Sequence, residues 1–305
     1  MSEHTAQPAT SAPDAPTRRR FTKGHGTQND FVLVPDLDGT DDLDIASVRR
    51  LADRRAGIGG DGVIRVVPTA SASEPEIAEL ADRARWFMDY RNADGSLAQM
   101  CGNGTRVFAA YLRREGLETG EHFDIATRGG VKHITVDADQ YATGMGPYRL
   151  PEERAFRERG SDATVVVRGL PGGVVELPAL SVDMGNPHTV VALPPEADLT
   201  VLDLAHLPEV SPVPPEGTNV EFVQILGPAH LQMRVYERGV GETRSCGTGA
   251  AAAAVAAMLW SGDAGENAAW RVDVPGGTLQ VTVGVGNEVT LAGPAELVAD
   301  GETDL

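Results

Sequence analysis

The sequence predicts an α/β (α+β) protein of two pseudo-symmetric domains, each a mixed β-sheet around one central α-helix. Three observations predict it. Short apolar runs separated by Gly, Pro, Asn and Asp recur along nearly the whole chain, which is the pattern of many short strands. The chain has two cysteines, and each opens a small-residue helical stretch with nearly the same phrase: Cys-Gly-Asn-Gly-Thr at 101–105 and Cys-Gly-Thr-Gly-Ala at 246–250. A length of 305 residues with 41% hydrophobic content supplies two cores, since domains usually run to about 100–150 residues.

In chain order, residues 1–20 read as a disordered leader, rich in Ala, Pro, Thr and Ser and without an apolar segment. Order is expected from Phe21. Strands follow at 31–34 and 63–67, with a helix at 45–56 and the glycine turn 57–62 between them. The Thr/Ala/Ser/Glu-rich stretch 69–82 reads as a loop, and 86–91 as a strand before the turn Asn92-Ala-Asp-Gly95. The first cysteine helix spans about 102–115, with Val107, Phe108, Tyr111 and Leu112 at helical spacing and Gly116 as its C-cap. Strands at 122–126 and 131–136 close this half. From about Gly146 the pattern restarts with strands at 164–168, 180–184 and 189–192, a helix or turn near 199–206, and a proline-rich connector at 208–215. Strands at 220–226 and 230–236 then lead into the second cysteine helix, about 247–260. Strands near 270–274, 278–283 and 287–291 finish the chain. The order is that of a tandem duplication.

Composition narrows the function. A formal charge of −18, from 44 acidic and 26 basic residues, argues against non-specific nucleic-acid or anionic-membrane binding. No run approaches the ~20 apolar residues of a membrane span. Lysine occurs only at Lys23 and Lys132, so a pyridoxal-phosphate Schiff base has two candidates, neither in a recognisable cofactor context. With no secretory signal, a cytoplasmic location and reduced thiols are expected.

Each cysteine sits where a helix N-terminus is expected, a position whose unpaired N–H groups and positive dipole end favour thiolate. Two such sulfurs aimed at one point suit proton exchange at a carbon acid, one removing a proton and the other supplying one. Amides of Gly102-Asn103 and Gly247-Thr248 are placed to clamp a carboxylate and stabilise charge developing on it. The bland alternative is a structural disulfide in a non-catalytic amino-acid-binding protein.

Further phrases sharpen this reading. They are Gly-Thr-Gln-Asn-Asp-Phe at 26–31, Arg-Asn-Ala-Asp-Gly-Ser at 91–96, Met-Cys-Gly-Asn-Gly at 100–104, Met-Gly-Asn-Pro-His at 184–188, Gly-Thr-Asn-Val-Glu-Phe at 217–222, and Val-Tyr-Glu-Arg-Gly-Val-Gly-Glu-Thr at 235–243, running into Ser-Cys-Gly-Thr-Gly. In this order, from Phe21 onward, they resemble the diaminopimelate epimerase family. The resemblance implies a barrel-like sheet around each central helix, with an N-terminal domain of 21–146 plus 292–305, a C-terminal domain of 147–291, and the site in a cleft that closes on substrate. It implies interconversion of LL- and meso-diaminopimelate in lysine and peptidoglycan precursor synthesis, with no cofactor and no metal. Cys101 and Cys246 are then the acid/base pair. Asn29, Asn92, Gly102, Asn103, Asn186, Asn219, Glu237, Arg238, Gly247 and Thr248 line the substrate site, with His188 and Glu237 in support. A homodimer is the assembly to test, because the sequence does not fix the oligomeric state.

One position departs from the family pattern: Gly62 stands where many members carry Gln, removing a side-chain contact to substrate. The nearest rival is a proline racemase or hydroxyproline epimerase. Those relatives typically carry His after the first Cys-Gly, where this chain has Asn103, and they lack the Tyr-Glu-Arg-Gly and Gly-Thr-Asn-Val phrases.

Overall fold

The computed structural model describes residues 18–262 and 268–305. Its first half runs β1 (Arg19–Gly26), β2 (Asn29–Pro35), α1 (Ile45–Ala52), β3 (Gly62–Pro68), α2 (Pro75–Ala78), β4 (Trp86–Asn92), α3 (Gly102–Arg114), β5 (His122–Thr127), β6 (Gly130–Asp137) and β7 (Gln140–Pro147). The second half comprises α4 (Glu153–Arg159), β8 (Ala163–Val167), β9 (Val175–Asp183), β10 (Pro187–Ala192), β11 (Glu209–Ser211), β12 (Asn219–Gly227), β13 (His230–Glu237), β14 (Gly241–Thr243), α5 (Gly247–Ser261), β15 (Ala268–Val274), β16 (Gly277–Val283) and β17 (Glu288–Pro294). β18 (Glu296–Thr303) ends the chain by pairing antiparallel with β1.

The duplication is plain in the strand pairing. β1 to β2 is antiparallel, β2 to β3 parallel, β3 to β4 antiparallel, β4 to β5 parallel, and β5 to β6 to β7 antiparallel. The succession β9, β10, β12, β13, β15, β16, β17 repeats that alternation step for step. In each half the second parallel step, β4 to β5 or β13 to β15, is crossed by the cysteine helix, α3 or α5. The outer strands are exchanged: β8, which follows the first repeat, pairs with the first strand of the second, and β18 does the reverse. β7 and β17, the last strands of the two repeats, pair antiparallel and join the halves into one continuous sheet.

Each half wraps its sheet around its helix. Phe31, Ile64, Met88 and Ile125 pack with Val107, Phe108 and Leu112 of α3 in one core. In the other, Leu180, Val223, Met233 and Val281 surround α5, whose residues Ala250 to Ala257 are fully buried. A helix enclosed on all sides has no polar face to offer, and alanine there lets strands approach closely at full helix propensity.

Several local expectations change. β1 begins at Arg19, ahead of the expected Phe21, because Arg19 is held by Asp41 at 2.7 Å and the strand has partners on both sides. The rest of the expected leader, residues 1–17, lies outside the described residues. The helix expected to 56 stops at Ala52, where Asp53 turns extended and accepts from the amides of Arg55 and Ala56. The 69–82 stretch is more than a loop: a 3-10 turn (Thr69–Ser71) and α2 bury Ile77 against Val67, Ala84 and Phe87. β1, β7, α4, β14 and the short β11 inside the proline-rich connector are additional to the elements that the sequence predicts.

Candidate active site

The two cysteines are the N-caps of α3 and α5, both in extended conformation, and both are free thiols. The helix N-termini abut. A Cβ added at Gly247 would lie 3.4 Å from the Cα of Gly102, and Cβ atoms added at Gly102 and Gly247 would each lie 3.0 Å from the same Leu291 methyl of β17. Glycine after each cysteine suits this crowding, because a larger residue would have to displace Leu291 by a few tenths of an ångström.

Polar bonds fasten the two halves here. The side-chain amide of Asn103, buried in the first turn of α3, donates to Ser245 O at 3.2 Å and to Asn29 Oδ1 at 3.1 Å. The β1–β2 hairpin turns on Thr27 and Gln28, both at positive φ (50° and 64°), as a two-residue primed turn demands. That turn brings Thr27 Oγ1 within 2.6 Å of Ser245 Oγ, beside Cys246, and sets Asn29 Oδ1 3.6 Å from Cys101 Sγ.

The thiols differ from the expectation of a favoured thiolate. Burial pushes Cys101 up to about 11, against the amides of Gly104 and Asn103 and the Arg106 guanidinium, which pull it down. Cys246 is driven well above the ordinary thiol range by burial and then by Glu237 and Glu221; a hydrogen bond from Thr248 and the Gly249 amide, 3.3 Å from Sγ, oppose this. Desolvation of the anion outweighs the partial charges of the helix ends. Arg106, fully buried one turn beyond Cys101, is itself drawn down to about 10 by burial. It donates to Thr27 Oγ1 at 3.1 Å and to Asn103 Oδ1 at 2.9 Å, while Nε and Nη1 have no hydrogen-bond partner among the described residues.

Around Cys246, Thr248 Oγ1 lies 3.5 Å from Sγ and 3.5 Å from Asn186 Nδ2. His188 is fully buried, with Nε2 3.1 Å from Asn186 Oδ1 and Nδ1 2.7 Å from Glu221 Oε1. Burial also raises the Glu237 carboxyl, which accepts a short hydrogen bond from Thr243 Oγ1. Arg238 extends its guanidinium to Glu216 O at 2.5 Å and remains 43% exposed, able to take a carboxylate.

Other predicted residues are engaged by the protein. The Asn219 side chain accepts from the Arg238 amide and donates to Pro187 O, bracing the loop that carries Arg238. Asn92 accepts from Tyr90 Oη at 3.0 Å and donates to Ser96 Oγ at 3.0 Å. At Gly62 a Cβ would meet the Tyr90 ring at 2.5 Å and Arg91 O at 2.6 Å, so Tyr90 occupies the space a longer side chain would need. Tyr90 and Glu221 do not stand out in the sequence because each reads as a member of an apolar strand. The available signal was a single acid inside the apolar run 220–223.

Among the described residues no group of three or more His, Cys, Asp or Glu is placed to hold a metal ion, and no helix is long and apolar enough to cross a membrane.

Comparison with known proteins bears on this geometry. The profile of the family described as Diaminopimelate epimerase matches residues 21–151 and 180–298. The chain is 50% identical to a diaminopimelate epimerase of Streptomyces coelicolor, covering 94% of this chain and 96% of the relative, and 47% identical to one of Thermobifida fusca, covering 94% and 98%. Among solved structures it resembles a Bacillus anthracis phenazine biosynthesis protein (TM-score 0.64, 18% identity, 94% and 99% covered). It also resembles a hydroxyproline epimerase from Agrobacterium vitis with bound trans-4-hydroxy-L-proline (TM-score 0.61, 14% identity, 94% and 91% covered). At such identities these two show the fold alone.

Proposed function

The chain belongs to the diaminopimelate epimerase family, and from that premise we propose that it interconverts LL- and meso-diaminopimelate by passing a proton between Cys101 and Cys246. The observation that carries this reading is the placement of two free thiols at abutting N-termini of equivalent helices in a duplicated fold. One sulfur, as thiolate, takes the α-proton from one face of the carbon. The other, as thiol, delivers a proton to the opposite face, and the roles exchange when the reaction reverses. Amides of the first turns of α3 and α5 hold the α-carboxylate and stabilise the charge that grows on it in the transition state.

Burial keeps both thiols protonated in the free protein at neutral pH. The base is therefore made when the substrate arrives: its ammonium groups bring positive charge beside the sulfurs and Glu237, which favours one thiolate, and that thiol's proton leaves to solvent. Asn29, Asn92, Asn186, Asn219, Glu237 and Arg238 are assigned to reading the substrate, the last two recognising the ammonium and carboxylate of the unreacting end. His188 supports from behind Asn186. We also assign residues 21–146 with 292–305 to one domain and 147–291 to the other. The product would feed lysine and peptidoglycan precursor synthesis in the cytoplasm.

Incubation of the reduced protein with LL-diaminopimelate in D₂O tests the reading. Meso product carrying α-deuterium is expected by NMR. No exchange with both thiols confirmed free, and none with proline or hydroxyproline, would leave an amino-acid-binding protein.

A further inference from the structure

Glu221 is a fully buried acid on β12 that the mechanism does not use. One carboxyl oxygen, Oε1, lies 2.7 Å from His188 Nδ1; the other, Oε2, has no hydrogen-bond partner among the described residues. It lies directly under the first turn of α5: a Cβ added at Gly249 would be 2.7 Å from Glu221 Oε1 and 3.3 Å from Cys246 Sγ. From Glu221 a chain of contacts runs through His188 to the Asn186 amide, to Thr248 Oγ1 and to Cys246 Sγ.

That chain has a direction. A carboxylate bonded to an imidazole carrying one proton would leave a net negative charge fully buried, which desolvation disfavours. A second proton would remove that charge. The contacts accommodate one proton between Nδ1 and Glu221 and another on Nε2 facing Asn186 Oδ1, an oxygen that can only accept. An asparagine amide fits either way round unless a neighbour chooses. With Nε2–H on the oxygen, Nδ2 is the atom left facing Thr248 Oγ1.

We propose that Glu221 is a positioning residue of the epimerisation site: through His188 it fixes the Asn186 amide so that Nδ2 meets a carboxylate of the substrate as a hydrogen-bond donor. The proposal rests on the epimerase reading. It assigns Glu221 no proton transfer with substrate, so an amide able to bond His188 replaces it and an apolar side chain does not.

The test has two arms. Selective ¹⁵N labelling of histidine in the substrate-free wild type reads the His188 ring directly: Nε2 should show the shift of a protonated nitrogen at neutral pH, and a bare, pyridine-type Nε2 would overturn the proposal. In the second arm, Glu221→Gln should keep KM for LL-diaminopimelate within about threefold of wild type, whereas Glu221→Leu should raise KM about tenfold with kcat changed less than threefold, the pattern of lost uniform binding. Equal impairment of both variants, loss confined to kcat, or no loss in Glu221→Leu would each overturn it. If Glu221→Leu does not fold, the wild-type spectrum and Glu221→Gln still decide. A wild type without turnover would remove the proposed function, while the ¹⁵N result would still stand or fall alone.

Discussion

Each sulfur is held between opposing influences: a helix N-terminus that favours thiolate and a buried environment that favours thiol. Burial prevails, and this has a sign that can be measured. The folded value for Cys101, about 11, lies above the unfolded thiol value of about 8.5, so the fold favours the protonated form. Its stabilising contribution is complete below the ordinary thiol range and is lost as pH climbs through about 11. Urea-unfolding midpoints of the wild type should fall more steeply between pH 8.5 and 11 than those of Cys101→Ser; parallel slopes would refute the shift. In the substrate-free protein, iodoacetamide should capture Cys101 slowly at pH 7, and faster with each step of pH. Arg106→Met removes the buried cation that draws Cys101 downward and should slow that capture at fixed pH; an unchanged rate would mean that the cation does not act on the sulfur. On the proposed acid/base assignment, Cys101→Ser and Cys246→Ser should each lower turnover by about 10²–10⁴-fold, with substrate binding kept in calorimetry.

At the scale of elements, the first turns of α3 and α5 matter most, because their glycines let two helix ends meet. Gly247→Ala would press a methyl against Leu291 and the Gly102 backbone. Overpacking of this kind usually costs about 1–3 kcal/mol, so chemical denaturation should show a loss in that range, with activity falling as the two sulfurs are pushed apart. A wild-type midpoint in this variant would mean that the join is looser than the contacts indicate. Both cysteine helices were legible in the sequence, since small residues, a Gly-x-Gly and a helical apolar stripe agree. α2 was not, because its helical signal is four residues long and Ile77 looks solitary until Val67 and Phe87 are placed around it. β1 and β7 escaped for a different reason: their apolar residues are diluted by Gly, Thr and His, and only pairing on both flanks makes them strands.

For the whole molecule, the exchange of β8 and β18 ties each half to the segment that follows the other. β18 supplies an antiparallel partner along most of β1 and packs Leu297 against the core around α3. Deleting residues 296–305 should therefore lower Tm by about 10 °C in calorimetry, several kcal/mol for a chain of this size; an unchanged Tm would show that β1 does not depend on its terminal partner. The sequence by itself determined the two-fold repetition, the two helices, the cysteines at their starts and the family, because these depend on local spacing and on phrases carried in order along the chain. Only the tertiary structure decided the rest. It joined the two sheets through β7 and β17, brought Thr27 and Asn29 of one hairpin to Ser245 and Cys101, filled the space beside Gly62 with Tyr90, and buried Glu221 behind His188. The physical reason is the same throughout: desolvation, steric closure and the choice of hydrogen-bond partner depend on which atoms from distant segments share a small volume, and a one-dimensional pattern does not contain that information.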